Sequence, residues 1–140
     1  MSAELLTAAS FATGLFVGVV AALFIAVFAP KVGRPGQGFG ILSGGYGAAQ
    51  IAITGVDWLP PGWQAVGLLI ALGAVKMLVT SMTVGSGGSA GDFGPSLVIG
   101  ALFGGAFGRA VQLLSHDPRI DPGAFALVGM GVFYGGLAHV

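Results

Sequence analysis

The sequence predicts an all-α membrane protein made of tilted and discontinuous transmembrane helices, on three observations. Only 7% of the residues are charged and 55% are hydrophobic, with a mean hydropathy of +0.95, whereas about a quarter of a soluble domain is charged. Glycine occupies 27 of the 140 positions, a frequency suited to membrane helices whose backbones pack closely. The apolar runs are also unequal in length and broken by glycine and proline, as in helices interrupted around a binding site. Irregular backbone at membrane depth needs surrounding protein or a water-filled cavity. The formal net charge is zero, so no basic footprint points to nucleic acid as a partner. With no cysteine, disulfides, thiolate chemistry and cysteine-based metal sites are excluded.

The elements follow in order. The first apolar run predicts a spanning helix over about residues 5–29, since about 20 residues cross the hydrocarbon core. A secretory signal fits poorly, because Glu4 is the only early charge and the run is too long. Pro30 is expected to stop this helix. A glycine-rich connection with Lys31 and Arg34 leads to a short helix or re-entrant segment over about 41–54, too short and polar for a full span. Asp57 to Trp63 reads as an interfacial turn: Pro60 and Pro61 block helix, and Trp58 and Trp63 suit an aromatic belt. Helices are expected over about 65–84, interrupted by the charge of Lys76, over about 95–114, and over about 122–138. Gly100, Gly104 and Gly108 form two overlapping G-x-x-x-G pairs that favour close helix packing. The abrupt apolar end leads us to expect a piece of a longer membrane protein.

The loop over residues 85–94 carries the most functional information. Gly85, Gly87, Gly88 and Gly91 leave almost no side chains between two apolar runs, and glycine backbone can approach a ligand closely. Pro95 suits the first turn of a helix, where its missing N–H costs nothing. A helix starting there exposes unpaired N–H groups carrying roughly half a positive charge, which makes an anion site.

Four ordered blocks resemble the CLC family of chloride channels and proton-coupled chloride exchangers. Gly91-Asp92-Phe93-Gly94-Pro95 resembles the family's G-x-F-x-P selectivity-filter motif, with matching flanks in Gly85 to Ser89 and Ser96 to Ala101. Gly45-Tyr46-Gly47-Ala48-Ala49-Gln50 resembles the Gly-Tyr-Gly-x-x-Gln stretch upstream. Asp121 to Gly131 resembles the start of the helix that follows. The resemblance covers almost the whole chain and implies the second of the family's two inverted repeats. It implies chloride as a transported ligand rather than a cofactor, held by the backbone amides of Asp92 and Phe93 in a filter loop with Gly91, Gly94 and Pro95. No enzyme, cofactor or metal centre is expected. The implied partners are the lipid bilayer, the remaining half of the CLC membrane domain and a second copy in the family's homodimer. The implied location is a multi-pass place in the plasma or bacterial inner membrane.

The family's G-S-G-I-P segment, its G-[KR]-E-G-P gating glutamate, its distal tyrosine and its proton-carrying glutamate do not occur in this sequence, which leaves channel against exchanger open. An inert membrane piece and a different anion-binding secondary transporter stand as the alternatives. Lys76, a charge deep in an apolar run, is a functional candidate by default, and we expect it at a water-filled vestibule that concentrates anions. Tyr46 and Gln50 suit either pore lining or packing. Ser86 and Ser89 suit capping better than anion donation. His116 and His139 read as solvated or helix-end residues rather than proton carriers. Asp92 departs from the small or apolar residue of many relatives. Its carboxylate can cap the helix start, pair with a base elsewhere, or occupy the anion site as a titratable gate; capping is the expectation.

Overall fold

The computed structural model describes residues 3–32, 46–55, 59–85, 91 and 93–139. These form five α-helices and, among the described residues, no strand: α1 (Ala3–Val32), α2 (Tyr46–Thr54), α3 (Trp63–Gly85), α4 (Phe93–Ser115) and α5 (Pro122–Ala138). Among the described residues α3 and α4 are each long and apolar enough to cross a membrane, while Pro122–Ala138 is apolar and shorter. The all-α class read from the sequence is the class observed.

Two helix ends placed by proline fall elsewhere than expected, and α1 and α3 also start about two residues early, at Ala3 and Trp63. The backbone of α1 runs to Val32, past Pro30. Near a helix end proline removes a single donor, and membrane helices absorb such a loss. The helix expected from Pro95 begins two residues earlier, at Phe93. Proline needs only to lie in the first turn, where the N–H has no intrahelical partner, and Pro95 occupies its third position. The expected segment 41–45 lies outside the described residues, as do 86–90 and Asp92.

The core lies where α2, α3, α4 and α5 meet. Leu69 and Leu72 of α3 and Val98 and Leu102 of α4 are its largest fully enclosed side chains. Gly73 of α3 makes room for the Phe103 ring, which lies 3.1 Å from where a Cβ would stand. The glycine row of α4 lies against α5. A Cβ at Gly100 would fall on the carbonyl oxygen of Gly129, and one at Gly104 on that of Phe125. At Gly108 it would come within 2.8 Å of the Phe125 Cβ. Absent side chains therefore bring the two backbones together, the close packing expected of the G-x-x-x-G pairs.

A short polar turn makes that packing antiparallel. Gln112 donates from Nε2 to the Ile120 carbonyl at 2.8 Å. The Asp121 carboxylate caps α5 by accepting from the Gly123 N–H at 2.9 Å, with Pro122 at the first helical position. α1 is peripheral: Val17 packs on the core, while Leu5, Phe11, Leu15 and Leu23 remain exposed. Exposed apolar surface on this scale suits lipid or further protein rather than water.

Candidate functional site

The functional reading centres on the start of α4. A helix leaves its first N–H groups without intrahelical partners. Pro95 has none to offer, so Phe93 and Gly94 supply the free donors of the described first turn. The Ser96 hydroxyl donates to the Phe93 carbonyl at 2.8 Å, which satisfies a buried polar group inside the turn. Ser96 is only 3% exposed. Gly91 is exposed, and Asp92 lies outside the described residues; for Phe93 the structure gives an exposed position at the helix start.

Two aromatic residues frame this end. The Phe93 ring meets Tyr134 of α5 edge-on, with centroids 5.0 Å apart and planes at 85°, a favoured arrangement for aromatic pairs. The Tyr46 hydroxyl, from the first residue of α2, lies 3.5 Å from where a Cβ on Gly94 would stand. That is ordinary contact range, so the Tyr46 hydroxyl lies against the first turn of α4. The starts of α2 and α4 are therefore neighbours, a juxtaposition the sequence left unresolved when Tyr46 suited pore lining and packing alike. A cavity of about 400 Å³ opens alongside, between Thr80 and Ser81 of α3, Ser96 and Ile99 of α4, and Phe133 and Leu137 of α5. The Ser81 hydroxyl is turned back onto the Met77 carbonyl at 2.8 Å, so within this mixed wall it adds little polarity of its own.

Lys76 of α3 is buried at 4% exposure and already engaged in an interaction. A second cation was not singled out in the sequence. Arg109 of α4 extends to the far end of α2, with its Nη2 3.2 Å from where a Cβ on Gly55 would stand. A charge inside an apolar run was the available signal. His116 and His139 are both exposed and both take left-handed backbone at helix ends, His116 after α4 and His139 after α5. No group of three or more potential metal ligands occurs among the described residues.

The arrangement pairs an exposed helix start with a membrane-length helix, and residues 4–140 match the family model for the voltage gated chloride channel. The chain belongs to the voltage-gated chloride channel family. Within it, the chain is 42% identical over 73 residues to the H(+)/Cl(-) exchange transporter ClcA of Vibrio vulnificus strain YJ016, covering 52% of this chain and 16% of that protein. It is 34% identical over 88 residues to the protein of the same name from Vibrio campbellii, covering 61% and 19%. The Salmonella arizonae protein of that name is 37% identical over 67 residues, covering 48% and 14%. The chain thus spans less than a fifth of the length of these curated relatives. No solved structure matches it significantly.

Proposed function

We propose that this chain contributes to chloride transport across a membrane, with the anion held by the backbone N–H groups of Asp92 and Phe93 at the start of α4. The observation that carries the reading is the first turn of α4, which begins at Phe93 and places Pro95 third. The free donors at such a start belong to residues 92, 93 and 94. If the Asp92 carboxylate takes the Gly94 N–H as a helix cap, the amides of Asp92 and Phe93 remain for the ion. Gly91, Gly94 and Pro95 then shape the loop without side chains that would block approach.

Neutral dipoles suit a transported ion. They compensate the lost hydration shell without the deep trap that a fixed full charge would create, and transport requires release as well as binding. The positive end of α4 adds roughly half a charge in the same direction. Lys76, buried in this structure, belongs to this reading through its field alone, as a charge that raises the anion concentration near the site. The relatives' names favour proton-coupled exchange as the mode of the whole protein. The family match and the ordered motif blocks together favour chloride over a different anionic substrate and over an inert membrane piece.

The test is transport by the full-length protein in liposomes. The expected result is saturable chloride efflux accompanied by proton movement in the opposite direction. Chloride efflux with no proton flux would make it a channel, and no chloride movement at all would overturn the proposal.

A further inference from the structure

α2 and α4 lie side by side and run in the same direction. Tyr46 at the start of α2 meets Gly94 in the first turn of α4, Ala52 lies against Gly105, and Gly55 beyond the end of α2 lies against Arg109. The two helix dipoles are therefore parallel, with their positive ends together near Phe93. Neighbouring parallel dipoles oppose this arrangement. At nine residues, α2 is also too short to be a stable helix by itself. Its buried face of Ala48, Ala49, Ile51 and Ala52 holds it in the core, which leaves the unfavourable dipole alignment to be offset at its ends.

Arg109 stands at the negative end of α2. Gly55 takes φ +67° and turns its N–H back onto the Ile51 carbonyl at 3.1 Å, ending the helix with its remaining last-turn carbonyls unpaired within it. The Arg109 Nη2 reaches this end. Its Nε is buried with no hydrogen-bond partner, so the guanidinium is not held by conventional pairing at that atom. The partial negative charge of a helix C-terminus is a natural counterpart for this half-buried cation.

We propose that Arg109 is a positioning residue: its charge anchors the C-terminal end of α2, and through that short rigid helix sets Tyr46 against Gly94 at the start of α4. The proposal rests on the reading of that start as the anion site. It makes Arg109 matter to transport from the far end of α2, without touching the ion.

Fluorotyrosine incorporated into the full-length protein gives a fluorine resonance for Tyr46, identified by its loss in Tyr46→Phe. We expect Arg109→Gln to displace that resonance and to lower chloride transport roughly three- to fivefold, the scale of a charge at a helix terminus. Arg109→Lys, which restores the cation, is expected to return both toward the unmodified values. A Tyr46 resonance unmoved by Arg109→Gln overturns the proposal. So does one that Arg109→Lys leaves displaced, and this second variant decides the matter if Arg109→Gln does not fold. Should the unmodified protein move no chloride, the anion-site reading falls, while the resonance still decides whether Arg109 positions α2.

Discussion

Asp92 poses the sharpest electrostatic problem at the level of single residues, because a carboxylate facing chloride in a low-dielectric pocket would repel it strongly. It directly precedes the first helical residue, Phe93, which is the position of an N-cap. With Pro95 third in the helix and lacking an N–H, Gly94 is the donor left for that cap. Asp92→Ala in the full-length protein is therefore expected to lower stability by about 1 kcal/mol, whereas Asp92→Asn, an equally good cap, should keep stability and leave the pH profile of chloride flux unchanged between acid and neutral conditions. A constitutively active variant that loses part of its pH dependence would instead make Asp92 a titratable gate. Lys76 gives a second residue-level prediction. Its positive charge, if it attracts anions, is screened by salt, so Lys76→Met should reduce transport most at low ionic strength. A reduction equal at all salt concentrations would mark a packing defect around this buried side chain.

Among the elements, the pairing of α4 with α5 determines whether the helix start can be held still. Gly104→Ala would drive a methyl group into the Phe125 carbonyl, and overpacking of this kind costs about 1–3 kcal/mol. Gly131, also on α5, has open space where its Cβ would stand, so Gly131→Ala should be neutral or slightly stabilising. Thermal unfolding in detergent separates the two; equal effects would mean that the glycine row does not govern the packing. This part of the fold was legible in the sequence, because a four-residue spacing of glycines defines a helix face without reference to the partner. The helix starts were less legible. Pro95 locates a first turn but not which of its three positions it fills, and Pro30 did not end α1 because one lost donor near a helix end is tolerable.

At the scale of the molecule, the membrane class was readable from composition and the family from motif order, since both are properties of sequence alone. The proximities that give the candidate site its shape were not. Tyr46 beside Gly94 and Arg109 beside Gly55 join residues tens of positions apart, and only the packing of α2 on α4 brings them together. Tyr134 on Phe93 arises likewise from the antiparallel return of α5. The central claim is that a backbone N–H, rather than a side chain, holds the anion at the start of α4. Replacing the amide of Phe93 by an ester in the full-length protein removes that single donor and keeps every side chain. Chloride affinity, measured calorimetrically, should fall roughly tenfold or more, as a hydrogen bond to a charged group is worth about 1.5–3 kcal/mol. An unchanged affinity in a folded ester variant would contradict the claim.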